Sequence, residues 1–146
     1  MNVLDYKNKL NSINVHSVVK GAVNKNTKVI LDINRSEMND GLDIFGKVVG
    51  QYSQASEEFA KHSNPSKPKK AGKNYNFQDT LKLFEGMLIE FNGKVIKIDS
   101  NGIDSVEKDL FITDAQVLGL SKTKGNIVNF DILLPELQRK IKQILK

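Results

Sequence analysis

Met87, Ile89 and Phe91 alternate with Leu88 and Glu90, and beyond Asn92-Gly93 the alternation resumes at Ile96 and Ile98. Asn-Gly tolerates the positive φ that a tight hairpin turn requires, so the pair marks a reversal between two strands. The spacing predicts an antiparallel hairpin over residues 87–98, with Phe91 facing Lys94, Ile89 facing Ile96 and Met87 facing Ile98. The opposite face then sets Leu88 against Lys97 and Glu90 against Val95. A slip of one residue would turn every one of the five apolar side chains of the first face outward, so burial and turn chemistry select the same face. A lone hairpin is marginally stable in water, and its apolar face needs a cover.

The flanking sequence has helical periodicity. Val3, Leu4, Tyr6 and Leu10 predict a short opening helix that ends near residues 11–14. Val15, Val18, Val19, Ala22, Val23, Val29, Ile30, Ile33 and Met38 recur largely at three- and four-residue intervals, which is the stripe of a long amphipathic helix. Asn14 is its predicted N-cap. Continuous over residues 15–39, it is about 37 Å long at 1.5 Å per residue. Asn39, Asp40 and Gly41 end it. Leu42, Ile44, Phe45, Val48, Val49 and Tyr52 then read as either a short extended piece or a loop with apolar anchors.

Residues 53–62 predict a helical turn around Phe59, and Pro65 and Pro68 mark an exposed, flexible basic loop over residues 62–73. Tyr75 and Phe77 return with strand periodicity, and Asp79-Thr80 caps a turn before the hairpin. After it come a turn at Ser100-Asn101-Gly102, a short helix carrying Ile103, Val106, Leu110 and Phe111, and a buried apolar knot at Val117-Leu118-Gly119-Leu120. The C-terminal stripe runs from Ile127 and Phe130 to Ile144 and Leu145, with Pro135 expected to kink it or begin a second helix. The predicted architecture is α+β: a small antiparallel sheet built on the central hairpin, packed by a long N-terminal helix and a C-terminal helix.

A chain of 146 residues fits a single domain, residues 1–146, with enough length for a real core. Hydrophobic residues at 39% and charged residues at 27% describe an ordinary water-exposed globular protein. No apolar run approaches the roughly 18 residues of a membrane span, and the first ten residues lack the apolar stretch of a signal peptide, so the chain is expected to remain where it is made. The absence of cysteine removes disulfides, thiolate catalysis and the usual structural zinc sites.

The net charge of +5 is unevenly spread. Lys61, Lys67, Lys69, Lys70 and Lys73 lie in one stretch without an acidic residue among them; taking those five from the 22 basic residues leaves 17, equal to the 17 acidic ones. Such lysines suit phosphates or an acidic protein surface, and they are the candidate contacts for an anionic partner. With no arginine in the stretch and Phe59, Tyr75 and Phe77 outside it, any DNA contact would be non-specific, without base reading or stacking.

Other chemistry finds little foothold. His16 and His62 have no ligand or catalytic partner at a recognisable spacing, and both read as structural or solvated. Asp99, Asn101, Gly102 and Asp104 resemble part of a calcium loop, but the glycine falls fourth and Leu110 stands at the twelfth position where an EF-hand has glutamate. Gly41, Gly46 and Gly50 match no phosphate-binding pattern and read as turn glycines. The chain is therefore expected to be no enzyme, with no catalytic residue, cofactor or metal ligand to assign.

Three stretches carry a family resemblance: Met38-Asn39-Asp40-Gly41-Leu42-Asp43-Ile44-Phe45-Gly46 with Tyr52, then Phe77-Gln78-Asp79-Thr80-Leu81-Lys82-Leu83-Phe84, then Val117-Leu118-Gly119-Leu120-Ser121 followed by Leu134-Pro135-Glu136-Leu137. In this order they resemble the tail-completion or head-tail joining proteins of tailed bacteriophages, particularly those of the crAss-like kind. Leu81 stands where that family usually has glycine, and Leu118 where phenylalanine is common. The resemblance implies a virion structural protein made in the host cytoplasm, a ring subunit at the neck between portal and tail. Its implied partners are copies of itself and portal, connector or tail proteins, with no membrane. The alternative is a nucleic-acid-binding accessory protein acting through the lysine loop.

Overall fold

The computed structural model describes residues 2–63, 69–77, 82–92, 95–102 and 116–146. Its described elements are α1 (Val3–Asn11), α2 (Val15–Lys25), α3 (Thr27–Asn39), α4 (Gln54–Ser63), α5 (Lys82–Glu85), β1 (Met87–Asn92), β2 (Val95–Ser100), α6 (Lys122–Ile127), a π-helical segment (Val128–Leu133) and α7 (Leu134–Leu145). The architecture is α+β, with helices around one two-stranded antiparallel sheet.

The hairpin buries the predicted face in a different register. Met87 pairs with Ser100, Ile89 with Ile98, Phe91 with Ile96 and Asn92 with Val95. Each partner on β2 is thus two residues further along than the sequence pattern suggested. Asn92, predicted as the first residue of the turn, is instead the last residue of β1, and Gly93 and Lys94 lie outside the described residues. A shift of two conserves the face, because side chains alternate with a period of two. It also changes the outer face for the better: Glu90 now stands opposite Lys97, with 3.8 Å between their charged atoms, and Leu88 stands opposite Asp99. On the inner face it brings in Ser100, fully buried, whose hydroxyl donates to the Leu83 carbonyl at 2.8 Å and accepts from the Gly102 N–H at 3.2 Å.

The long helix is two helices. Asn26 leaves helical geometry at φ −110°, ψ 15°. Its side-chain amide donates to the Ala22 carbonyl at 2.8 Å, and the Thr27 hydroxyl donates to the Val23 and Asn24 carbonyls at 3.1 Å. Side chains of this kind offer the backbone an alternative to the helical ladder and end α2. The start of α2 is as predicted, with Asn14 accepting from the Ser17 N–H at 3.0 Å. α3 then crosses β1, and Ile30, Leu31 and Met38 enter one core with Val23, Leu83, Phe84, Met87, Ile98, Val117 and Val128.

The C-terminal run stays helical through Pro135, preceded by the six-residue π-helical segment. Proline cannot donate to the carbonyl four residues back, and the wider turn directly before it is where the ladder has loosened. Val128, Ile132 and Leu133 of the segment reach the core, whereas α7 packs mainly on α2 and α1. Lys25 of α2 closes this contact on Glu136 of α7 at 2.6 Å. No described helix is long and apolar enough to cross a membrane.

The segment between α3 and α4 is a loop pinned within itself by an isolated Leu42–Val48 bridge. Asp43 organises it, its carboxylate accepting from the Phe45 and Lys47 N–H groups at 2.8 and 2.9 Å. Tyr75 and Phe77 are half-buried in an irregular stretch, not in a strand, and an isolated bridge joins Gln51 to Asn74. Asp79-Thr80, Pro65, Pro68 and the helix expected over Ile103–Phe111 lie outside the described residues.

Candidate functional site

Residues 69–73 of the lysine stretch are docked against α4 and Tyr52 just before it. Ser53 starts α4 by accepting from the Ser56 N–H at 3.1 Å, which places Glu57 and Glu58 in its early turns and Lys61 one turn later. Helical spacing brings Lys61 within 2.7 Å of Glu58 and 3.3 Å of Glu57. The other oxygen of Glu57 accepts from the Ala71 N–H at 2.8 Å, so one carboxylate holds both the end of the helix and the returning chain. The Tyr52 N–H donates to the Lys73 carbonyl, and the Gly72 N–H donates to the Tyr52 carbonyl, both at 2.9 Å. Tyr52 also stacks edge-on against Tyr75, its hydroxyl donates to Asn76 at 2.9 Å, and Lys69 lies over its ring at 5.4 Å.

The five lysines therefore stand in different surroundings. Lys61 is ion-paired within α4, and its ammonium is held above the ordinary lysine range by Glu58 first and Glu57 second. Lys69 is half-buried over Tyr52, Lys70 and Lys73 are exposed, and Lys67 lies outside the described residues. Sequence reading found no acidic residue inside the stretch; α4 supplies two from just upstream. Phe59, taken as the centre of that helical turn, points to water at 71% exposure, and Ala60 is the residue α4 buries. Exposed lysine pairs of this kind contribute little to stability.

The Glu57 carboxyl is pulled below the ordinary glutamate range, first by the Ala71 N–H and next by Lys61. A lowered folded value means that the link stabilises the fold above the ordinary glutamate range and is lost as pH falls through the lowered value. The Ala71 amide resonance should accordingly titrate with a midpoint below that of a free glutamate, and Glu57→Gln should remove the transition. An Ala71 midpoint in the ordinary glutamate range would contradict this arrangement.

The histidines are apart. His16 of α2 lies against the ring of Phe91, centroids 4.7 Å apart, and His62 is exposed in the last turn of α4. Asp99 accepts from Lys97 and from the Ser100 N–H, both at 2.7 Å, so its carboxylate serves the end of β2; Asp104 lies outside the described residues. Among the described residues no cluster of three metal-ligating side chains occurs.

A second polar constellation was missed by the sequence reading. Asn34, fully buried on the core face of α3, donates to the Val117 carbonyl at 3.0 Å and accepts from the Gly119 N–H at 3.3 Å. One turn on, buried Glu37 accepts from the Ser121 N–H at 3.2 Å. The Ile44 N–H donates to the Gln116 carbonyl at 2.9 Å, and Gly119 sits against the Ile44 side chain. The signal was available: an asparagine and a glutamate stand on the stripe that otherwise carries Ile30, Leu31 and Met38. Polar groups at core positions are held there by partners.

Fold and site together define a small α+β protein whose polar side chains chiefly fasten one segment of the chain to another. No protein-family model matches the chain, no curated protein matches it, and no solved structure matches it.

Proposed function

We propose that the chain is a non-enzymatic structural subunit of a tailed-bacteriophage particle, one that completes the tail or joins it to the head at the neck. The observation that carries the reading is apolar surface on the outer helices. Val3 is 85% exposed and Leu4 62% exposed on α1, a helix that buries no residue of its own. Apolar side chains presented together on a folded chain mark surfaces that meet other proteins. Two stretches that carry the family resemblance, residues 38–46 and 117–121, meet each other at the end of α3 through Ile44, Gly119 and the Asn34 clamp. That junction supports reading them as one structural unit. A ring needs two different complementary patches per subunit, and the outer helices and the lysine segment are different parts of the chain able to serve as such a pair.

The test is assembly. The purified chain, mixed with isolated portal or tail components, should enter a higher-mass complex measured by light scattering. A folded chain that joins none of them would contradict the reading.

A further inference from the structure

The C-terminal helical run carries Ile127, Phe130, Leu134, Leu137, Ile141 and Ile144 at alternating intervals of three and four residues. In the α-helical part, from Leu134 onward, that spacing is the seam along which one helix packs on another. Its downstream half, Leu137, Ile141 and Ile144, is half-buried in the part of the run that packs on α1 and α2. Its upstream half is not covered: Ile127 is 38%, Phe130 63% and Leu134 40% exposed. The inward side of the same stretch is already committed, with Val128 buried and Ile132 and Leu133 against the core. Ile127, Phe130 and Leu134, hereafter the row, therefore give this run exposed apolar surface that the chain's own core does not use.

Charge selects the occupant. From Val3 to Lys25 and from Leu134 to Lys146 the chain carries eight basic residues against two acidic ones, Asp5 and Glu136. Asp5 is engaged in the cap of α1, accepting from the Asn2 N–H at 3.1 Å, and Glu136 accepts from Lys25 at 2.6 Å and from Arg139 at 2.6 Å. Lys122 and Lys124 add two more positive charges just upstream of the row, and Asp131 within it adds one negative charge, so the balance stays at ten basic residues against three acidic ones. A second copy docking the same row would bring these cations together, and like charges across an interface disfavour that pairing. An acidic amphipathic helix meets both requirements, an apolar stripe for the row and carboxylates for its flanks.

We propose that the row Ile127, Phe130 and Leu134 is the docking site for an amphipathic helix of a partner protein, acidic along its flanks. The proposal rests on the reading that this chain works through protein surfaces, but not on its place in a virion. The probe is a synthetic three-heptad peptide with leucine at the a and d positions and glutamate at e and g, labelled with fluorescein. Its carboxylates keep it from pairing with itself.

Fluorescence anisotropy with the full chain should show saturable binding. Phe130→Asp and, separately, Leu134→Ser should each weaken it about tenfold or more, as loss of a central apolar anchor does. Phe59→Asp, at an exposed aromatic on a different element, should leave it unchanged, and circular dichroism should show all three variants folded. The counterpart peptide with lysine at e and g should bind about tenfold more weakly or worse.

Absence of binding by the folded wild-type chain overturns the proposal, as does equal binding by both row variants. Two further results replace it: retention on phosphatidylglycerol vesicles that Phe130→Asp abolishes, with no peptide binding, assigns the row to a lipid surface. A dimer in sedimentation equilibrium that Phe130→Asp dissolves assigns it to a second copy. A chain that binds the peptide but joins no portal or tail component retains this inference and loses the virion reading; the reverse pair of results loses only this inference.

Discussion

Gly86→Ala and Gly102→Ala are each expected to destabilise the protein by about 3 kcal/mol or more, measured as the shift of the denaturant midpoint at constant slope. The two glycines stand at the entry and exit of the hairpin with their backbones in contact. A Cβ on Gly86 would run into the backbone of Gly102, and one on Gly102 would run into the Lys82 carbonyl. Neither obstacle is the end of a flexible side chain, so backbone would have to move. That movement would also disturb the buried Ser100 hydroxyl and its bonds to Leu83 and Gly102. Gly21→Ala is the contrast. Gly21 lies inside α2 with nothing within 4 Å of the position its Cβ would take, and alanine there should stabilise by about 0.5–1 kcal/mol. Equal effects at Gly21 and Gly86 would refute the close approach.

The second large effect belongs to Asn34→Ala, with an expected loss of about 2–5 kcal/mol in the same measurement. The substitution removes a donor from the Val117 carbonyl and an acceptor from the Gly119 N–H, and it leaves a space on the core face of α3. An unpartnered buried backbone group costs far more than the net worth of a typical hydrogen bond, which is why this single amide outweighs the surface ion pairs. Asn34→Asp should also destabilise the fold, because a carboxylate accepts but cannot donate to Val117. If Asn34→Ala were as stable as wild type, the clamp between α3 and residues 117–119 would not hold the structure together.

These two sites also show where sequence reading stops. Periodicity exposed the face of the hairpin, the span of α1 and the Asn14 cap, because each depends on neighbours within a few residues. It left the register two residues short, since a face is unchanged by a shift of two and the outer pair Glu90–Lys97 is what distinguishes the alternatives. The apolar stripe through residues 15–39 continues across Asn26, so hydrophobic spacing alone gave no break; the competing bonds of Asn26 and Thr27 made it. Contacts between segments far apart in sequence were hidden in the same way. Asn34 and Gly119 are 85 residues apart, and Glu57 meets Ala71 across a proline-containing stretch, so neither bond leaves a local pattern.

The lysine stretch illustrates the consequence for function. As a sequence it is a block of like charge. Folded, Lys61 is exposed but already has carboxylate partners, Lys69 rests half-buried on Tyr52, and Lys70 and Lys73 are exposed. The outer helices, which the periodicity predicted as helices, present Val3, Leu4 and Phe130 to water. The emphasis moves from a charged loop to an apolar and cationic helical surface.

The most direct test of the account is electron microscopy of purified phage particles carrying this chain with a small density tag. The reading predicts tag density in a ring at the neck, between capsid and tail. Particles that contain no copy of the chain, or that carry it only away from the neck and tail, would contradict it.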